Sequence, residues 1–476
     1  MAKFYSSLDE IKRELQSGRI TVEGLVKNHL SQIRSNAHLN AFNEVFEQEA
    51  LSTSKIIDER IKAGTAGRLA GMVIAIKDNI CYKGHKVGAS SKILEGFTSI
   101  YSSTIVERLL AEDAIIIGRC SCDEFAMGGS NENSYYGPVK NYADETKVPG
   151  GSSGGSAVAV QANMCHAAIG TDTGGSVRQP ASFCGLVGFK PTYGSISRHG
   201  IIAYASSFDQ VGPITRSVDD AALLLEIMGG ADEYDSTLLQ RPVPSYSNEL
   251  APSSSKKKIA YIQEALSSPG VDDEVKNALV QYIEKLRKEG HTVKAIAFDY
   301  LDYIVPTYYI LAMAEASSNL ARYDGVHYGY RSPNATDLQS TYKRSRSEGF
   351  GKEVKRRIML GTFVLSAGYY DAYYAKAQKV RRLIKEMTDS LLEEYDFILT
   401  PTAPEPAFPI GRTEKDPVVM YLYDIFTVQA SLAGVPAISL PAGNNNKGLP
   451  IGLQLIGRRF AEQELLNFSK YFLELY

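Results

Sequence analysis

Two glycine- and serine-rich segments of the chain carry the residue types of a nucleophilic active site. They are GGSSGGS at 150–156 and GTDTGGS at 170–176, and AIKDN at 75–79 precedes both. A serine nucleophile requires a base that takes its proton and hydrogen-bond donors that stabilise an oxyanion. Successive glycines before Ser176 permit a tight turn whose backbone N–H groups converge on one point. Ser176 would therefore lie beside its own anion site.

Lys77 is the candidate base for such a serine. It ends the apolar run VIAIK at 73–77, which is typical of a buried strand. Burial disfavours the ammonium form of a lysine and lowers its pKa, as a proton acceptor near neutral pH requires. A single lysine after a strand is more often a surface residue. Lys77 is therefore a candidate base only in combination with the two glycine-rich segments.

Other interpretations of the serines are available from the same residues. Clusters of glycine and serine are commonly flexible loops, and neither cluster has the lysine of a phosphate-binding P-loop. GGSSG also matches the G-x-S-x-G elbow of α/β-hydrolases, centred on Ser152 or on Ser153. That elbow needs an acid and then a histidine downstream, but neither His291 nor His327 stands in a recognisable context.

The composition is that of a globular protein without a large excess of either charge. The 476 residues are 44% hydrophobic and 22% charged, and 51 Lys+Arg against 54 Asp+Glu give a net charge of −3. A dedicated nucleic-acid binder would usually be strongly basic. The N-terminal residues lack the apolar core of a secretory signal, and no apolar run is long enough to span a membrane. We therefore expect a cytoplasmic protein that does not contact membranes.

Five sparse cysteines indicate reduced, mostly buried thiols rather than a disulfide framework. The pair Cys120-x-Cys122 lacks both zinc-type spacing and a second pair of ligands. We therefore predict no metal site in this chain.

The order of predicted elements indicates an α/β fold, because apolar strand patterns alternate with amphipathic helix patterns. The predicted strands are near 73–77, 114–118, 258–263, 292–298, 397–400, 437–440 and 451–456. The predicted helices are near 8–16, 21–36, 104–112 and 272–289, with another that Ser217 caps and Gly229-Gly230 ends, and a tyrosine-rich helical region that extends to about 394.

We expect one large domain over residues 1–476, because the C-terminal apolar strands resemble further pieces of the first sheet. Its parts are N-terminal helices at about 5–65, a glycine-rich core at about 66–230, and a helical insertion with a C-terminal return at about 258–476. The stretch 241–258, rich in proline and serine, is the best boundary between the last two.

The motifs AIKDN, GGSSGGS and GTDTGGS, in this order, resemble the hallmark of the amidase signature enzymes. The resemblance implies the amidase-signature fold, a large mixed β-sheet core flanked by helices on both faces. It also implies that Ser176 is the nucleophile, that Ser152 is a bridging serine on a cis peptide, and that Lys77 is the ultimate base. Such a relay needs no histidine. The backbone amides that the resemblance assigns to the oxyanion hole are those of Thr173, Gly174, Gly175 and Ser176.

Longer stretches resemble the A subunits of the tRNA-dependent amidotransferases within that family, over about residues 5–475. They include VPGGSSGGSAVAV, RQPASFCGLVGFKPTYGSISRHG, ASSFDQVGP and EVKRRIMLGTF. This resemblance implies hydrolysis of glutamine to supply ammonia for amidating Glu-tRNA(Gln) and, in many organisms, Asp-tRNA(Asn). It implies a heterotrimer in which a B subunit carries the misacylated tRNA, ATP and Mg, while a small C subunit wraps between the two. No cofactor is implied for this chain.

Free glutamine carries an α-carboxylate and an α-ammonium group, so its pocket needs a cation and an anion. Arginine offers a bidentate fork to a carboxylate. The family pattern assigns these roles to the arginine of EVKRR and to an aspartate after MY, which implies Arg357 and Asp424 here. Arg356 is the alternative, because only the side of one helix that faces the pocket distinguishes the two. Tyr308 or Tyr309 either covers the pocket or packs in the core.

Two other functions remain open from the sequence. A free-standing amidase acting on another small amide would work without partners and would be insensitive to glutamine. A catalytically inactive binding subunit is the second, but the retention of Lys77, Ser152 and Ser176 argues against it.

Overall fold

The computed structural model describes residues 3–253, 255–412 and 420–475, and within them one eleven-stranded mixed sheet forms the centre. Its strands are β1 (Phe42–Val45), β2 (Val73–Lys77), β3 (Ile115–Cys120), β4 (Ala167–Asp172), β5 (Val187–Lys190), β6 (Gln210–Thr215), β7 (Lys258–Ile262), β8 (Thr292–Ile296), β9 (Phe397–Pro401), β10 (Ala437–Asn444) and β11 (Pro450–Gly457). Their order across the sheet is β1-β3-β2-β4-β6-β5-β10-β11-β9-β7-β8.

The α-helices of the described residues surround this sheet. They are α1 (Leu8–Gln16), α2 (Val22–Ser35), α3 (Glu47–Ala63), α4 (Thr104–Ala111), α5 (Gly154–Gln161), α6 (Arg178–Phe183), α7 (Val218–Met228), α8 (Glu264–Ser267), α9 (Asp273–Lys288), α10 (Leu301–Asn319), α11 (Leu338–Gly349), α12 (Lys352–Val364), α13 (Lys376–Glu394), α14 (Val428–Ala433) and α15 (Glu462–Glu474).

Alternate residues of β2 enter two different hydrophobic cores. Ile74 and Ile76 pack in one core with side chains of α4, α7 and α9. Val73 and Ala75 pack in another with side chains of α2, α3 and α5. Because successive side chains of a strand point to opposite faces, helices cover both faces of the sheet. The predicted α/β fold, a mixed sheet between helical layers, is confirmed.

Strand β2 positions the candidate base. All five of its residues are buried, and it runs parallel to β3 on one side and to β4 on the other. A strand covered on both faces is expected to be continuously apolar, which explains why VIAI predicted it over the same residues. Lys77 is the last residue of β2 and Asp172 is the last residue of β4. Both residues therefore lie at the same edge of the sheet, where these parallel strands end.

The C-terminal strands join the sheet that the first half of the chain begins. Strand β10 pairs antiparallel with β5, with Ser439 opposite Gly188, and with β11 on its other side. Each C-terminal strand predicted from an apolar run occurs in the structure. Strands β1, β4, β5 and β6 were not predicted, because their short or glycine-containing sequences obscure the alternation that identifies a strand.

All five cysteines are buried and free, as predicted. In the described part of the chain, no helix is both long enough and apolar enough to cross a membrane.

Candidate active site

The ammonium group of Lys77 lies inside the protein and contacts Ser152. Its Nζ donates to Ser152 Oγ at 2.7 Å, to Thr171 Oγ1 at 3.0 Å and to the Thr171 carbonyl at 3.3 Å. The lysine side chain is 0% exposed. Burial lowers the pKa of Lys77 to about 8, although nearby acidic groups, among them Asp123 and Asp172, act in the opposite direction. A large share of Lys77 is therefore neutral just above pH 8.

The two predicted serines come together through the backbone beside this lysine. Ser152 follows a cis peptide bond from Gly151, as the family resemblance implied, and its side chain is fully buried. The next residue, Ser153, donates its amide to the carbonyl of Ser176 at 3.1 Å. This bond joins the segment before α5 to the turn before α6. Ser176 keeps a little exposure, whereas Ser152 and Lys77 have none.

Asp172 fixes the turn that carries Ser176. Its Oδ1 accepts the Gly175 amide at 2.8 Å, and its Oδ2 accepts the Val177 amide at 3.2 Å. The carboxylate thus binds the backbone on both sides of the serine. Thr427 Oγ1 donates to the Gly174 carbonyl at 2.6 Å, which fixes the same peptide unit from the opposite side.

These contacts divide the predicted oxyanion donors into two groups. The Gly175 amide already donates to Asp172, so it is committed inside the turn. Among the hydrogen bonds of the described residues, the amides of Thr173, Gly174 and Ser176 donate to no protein acceptor. Three of the four predicted donors are therefore available to a substrate oxygen, and Gly175 serves to shape the turn.

Arg178 holds the Asp172 carboxylate in place. It forms a two-contact ion pair with Asp172, at 2.9 Å for each contact, and neither side chain is exposed. Its remaining donors reach the Thr427 carbonyl at 2.8 Å and Gln454 Oε1 at 2.6 Å. A buried charge is tolerated when it is paired and its hydrogen bonds are satisfied, and both conditions hold here.

Asp209 connects the turn at residues 173–176, which carries the predicted oxyanion donors and is called the oxyanion turn below, to the predicted substrate pocket. Thr173 Oγ1 donates to Asp209 Oδ1 at 2.7 Å, while the amides of Tyr204 and Ala205 donate to Oδ2 at 2.9 and 3.1 Å. The hydroxyl of the same Tyr204 accepts a hydrogen bond from Arg357 at 2.9 Å. The turn beside Ser176 and the arginine on α12 are therefore joined through one carboxylate and one tyrosine.

Of the two adjacent arginines, Arg357 faces the interior. Only 4% of it is exposed, whereas 36% of the Arg356 side chain is exposed. Arg357 Nε donates to Glu353 Oε1 at 2.9 Å. Its guanidinium carbon lies 5.3 Å from the ring centre of Tyr309 and 5.5 Å from that of Tyr421. This aromatic cage and the Glu353 carboxylate orient the guanidinium.

Asp424 supplies the negative charge on the other side of this aromatic group. Its Oδ2 accepts the hydroxyl of Tyr309 at 2.6 Å, and Tyr309 stacks on Tyr421 with ring centres 4.1 Å apart. Burial raises the pKa of Asp424 to about 6, while the Tyr309 hydrogen bond and the charge of Arg357 hold it down. Asp424 and Arg357, far apart in the sequence, thus share the tyrosine that lies between them.

The ring of Tyr308 packs against Gly174 in the oxyanion turn. A Cβ added to Gly174 would lie 2.5 Å from the Tyr308 ring carbon Cζ and from its hydroxyl, so only glycine allows this contact. Tyr308 also packs edge-on against Tyr309, with ring centres 5.0 Å apart. The sequence left open whether Tyr308 or Tyr309 covers the pocket or packs in the core. In the structure both are buried in a hydrophobic core, where Tyr308 abuts Gly174 and Tyr309 donates a hydrogen bond to Asp424.

Sequence patterns alone did not identify five further residues of the site, which are Asp172, Arg178, Asp209, Tyr204 and Glu353. Several of them act through residues distant in the sequence, such as Arg178 through Thr427 and Asp209 through Thr173, and a single sequence does not reveal such contacts. One signal was present for the first two: charged residues within the glycine-rich motif and directly after it must be paired if that motif is buried.

The sequence matches the protein-family model described as Amidase over residues 24–466. The chain therefore belongs to the amidase family, and the resemblance drawn from its three motifs is confirmed. In more detail, it is similar to the A subunit of glutamyl-tRNA(Gln) amidotransferase from Chlorobium luteolum, with 50% identity over 98% of this chain and 96% of the relative.

Solved structures support the assignment of the chain to the amidase family. The crystal structure of the glutamyl-tRNA(Gln) amidotransferase A subunit from Thermotoga maritima matches with a TM-score of 0.78 and 42% identity, over 94% of this chain and 91% of that one. The native peptide amidase of Stenotrophomonas maltophilia matches with a TM-score of 0.82 and 28% identity, over 99% and 97% of the two chains.

Proposed function

We propose that this chain is the glutaminase subunit of a tRNA-dependent amidotransferase, with Ser176 as nucleophile, Ser152 as proton relay and Lys77 as base. The observation that carries the proposal is the 2.7 Å contact between Lys77 Nζ and Ser152 Oγ, two atoms of side chains without solvent exposure. A lysine held in this way is a usable base because burial lowers its pKa to about 8. The names of the similar amidotransferase subunits supply the substrate class.

In the first step, Ser176 Oγ attacks the side-chain amide carbon of glutamine. The Ser176 proton passes to Ser152 Oγ as the proton of Ser152 passes to neutral Lys77 Nζ. The carbonyl oxygen becomes an oxyanion beside the turn, where the amides of Thr173, Gly174 and Ser176 would donate hydrogen bonds to it. Gly175 contributes by holding the turn through Asp172.

The tetrahedral intermediate collapses when the proton returns from Lys77 through Ser152 to the amide nitrogen. The carbon–nitrogen bond breaks, ammonia leaves, and a glutamyl ester remains on Ser176. Water then attacks this ester with the same relay acting as base, which releases glutamate and restores the free serine. No metal or organic cofactor is required of this chain.

Recognition of glutamine is assigned to Arg357 and Asp424. The Nη2 group of Arg357 is left to bind the α-carboxylate, because its Nε and Nη1 groups already contact Glu353 and Tyr204. Asp424 binds the α-ammonium group, and charge complementarity then selects a zwitterionic substrate over an uncharged amide.

The amidotransferase reaction assigns the remaining parts to partners. We propose that a B subunit binds ATP, Mg and the misacylated tRNA, and that a C subunit completes a heterotrimer in the cytoplasm. Ammonia released at Ser176 would pass to the B subunit, which converts Glu-tRNA(Gln), Asp-tRNA(Asn) or both into the amide.

The decisive experiment purifies this chain together with its B and C subunits. The complex is expected to amidate misacylated tRNA with either glutamine or an ammonium salt as nitrogen donor. A complex that uses ammonium but never glutamine would contradict the assigned role of this chain. If the chain alone hydrolysed other small amides and ignored glutamine, it would be a free-standing amidase.

A further inference from the structure

Glu124 is a buried carboxylate that takes no part in the proposed proton relay. It lies in the short helical turn Glu124–Ala126 after β3, and only 3% of it is exposed. Its two oxygens accept the Gly351 amide at 3.1 and 2.8 Å, and Oε1 also accepts the hydroxyl of Ser91. In the described part of the chain, no cation is paired with it. A carboxylate buried among neutral donors requires a specific explanation.

Its partner Gly351 is the N-cap residue of α12. The first amides of a helix lack acceptors within the helix, and Gly351 has no side chain that could cap them. Glu124 supplies carboxylate oxygens from outside at this position, where the helix dipole favours an anion. Burial raises the pKa of Glu124 to about 7, so the group is mostly ionised above that pH. The approach is close, because a Cβ added to Gly351 would lie 2.3 Å from Glu124 Oε2.

Helix α12 carries both Glu353 and Arg357 within its first two turns. Any shift or rotation of its N-terminus therefore moves the guanidinium of Arg357 in its aromatic cage. The residue before Glu124 contacts the other half of the site, since the Asp123 amide donates to the Ser152 carbonyl at 3.2 Å. Two adjacent residues thus connect the segment of Ser152 to the start of α12.

We propose that Glu124 is a positioning residue for substrate binding, which holds the N-terminus of α12 so that Arg357 enters the pocket at the correct depth. The inference rests on the proposed function, in which Arg357 binds the α-carboxylate of glutamine. Glu124 itself contacts no reacting atom. Its loss therefore affects binding of the substrate rather than the chemical step.

The test measures glutamine hydrolysis by the full chain with its partner subunits. Glu124→Gln retains the shape of the side chain but removes the carboxylate, whose two oxygens both accept the Gly351 amide at the helix terminus. We expect KM for glutamine to rise about fivefold, as for loss of a helix cap, with kcat changed by less than about twofold. Asp272→Asn is the matched control, because Asp272 caps α9 by accepting the Glu274 amide and has no contact with the site. That control should leave KM unchanged.

Gly351→Ala provides a second route to the same contact, and it carries the test if Glu124→Gln does not fold. It should raise KM similarly, and the double variant should show less than the sum of the two effects, as expected for residues in contact. A KM in both single variants equal to that of Asp272→Asn would overturn the role of Glu124. Wild-type protein that hydrolysed no glutamine would overturn the proposed function instead, so the two failures are distinguishable.

Discussion

Asp172 and Arg178 form a two-contact ion pair whose carboxylate also accepts the amides on both sides of Ser176. The ion pair and the turn are thus one unit, and neither charged side chain is exposed. The position of the candidate nucleophile depends on this pair, although the pair itself transfers no proton.

Removing one member of the pair should destabilise the protein and abolish activity together. Asp172→Ala leaves Arg178 charged and buried without its paired carboxylate, which is expected to cost about 3–5 kcal/mol in the free energy of unfolding. The exposed pair of Arg382 and Glu386 is a suitable comparison, since Arg382→Ala should change stability by less than about 1 kcal/mol. Urea denaturation measures both. Equal stability of the two variants would show that the buried pair is dispensable.

Ser176→Ala should abolish glutamine hydrolysis and leave ammonium-dependent amidation intact in the assembled complex. Only the source of ammonia is lost, because in the proposed complex the B subunit performs the amidation. An electrophilic glutamine analogue should label Ser176 in the wild type and nothing in the variant, which mass spectrometry detects. Near-normal glutaminase activity in Ser176→Ala would exclude this serine as the nucleophile.

Lys77→Arg should be as inactive as Lys77→Ala. Arginine retains the positive charge but does not deprotonate in proteins, so it cannot serve as a base. In the wild type, protonation of Lys77 stops proton transfer, and kcat/KM for glutamine should therefore rise with pH through an apparent pKa of about 8. A Lys77→Arg variant with substantial activity would make the lysine an electrostatic or structural element.

Arg357→Ala should raise KM for glutamine far more than it lowers kcat, because it removes a group that binds atoms remote from the reacting carbonyl. Loss of a buried charge pair with the substrate corresponds to about 2–5 kcal/mol. Arg356→Ala is the matched variant from the adjacent, more exposed position and should have a much smaller effect. If the order of the two effects were reversed, Arg356 would be the carboxylate ligand.

Asp424 should make glutamine binding dependent on pH. Its pKa is raised to about 6, so the carboxylate becomes protonated as the pH falls through that value and no longer attracts the α-ammonium group. Binding to the inactive Ser176→Ala variant, measured by calorimetry, should weaken below about pH 6. Adding Asp424→Asn should weaken binding at neutral pH and abolish the inflection. An unchanged inflection in that double variant would assign it to another group.

The parts of the fold that could be predicted from sequence are those that local patterns determine. VIAIK predicted β2 because a fully buried strand is continuously apolar, and Ser217 predicted the start of α7 because its hydroxyl caps the Asp220 amide. Strand β6 was not predicted, because its sequence QVGPIT contains glycine and proline. This segment becomes a strand only through pairing with β4 and β5.

In the candidate site, too, local motifs identified some residues, whereas other contacts are visible only in the folded structure. The motifs specified Lys77, Ser152 and Ser176 as residues of one site, whereas their separation in space depends on where β2 and β4 end. The contacts of Arg178 with Thr427 and of Glu124 with Gly351 could not be predicted, because the two residues of each pair lie far apart in the chain. Local sequence determines which element forms, and only the assembled sheet determines which side chains meet.

The order of strands has a consequence for synthesis on the ribosome. One edge of β5 pairs with β6, its near neighbour in sequence, whereas the other edge pairs with β10, which begins only at Ala437. Until translation has passed Asn444, the nascent chain carries an unpaired strand edge in what will become the middle of its sheet. Such an edge is a template for association with other chains. A product terminated before Ala437 would retain every residue of the serine–lysine relay, yet it would emerge as a candidate for chaperone capture and degradation.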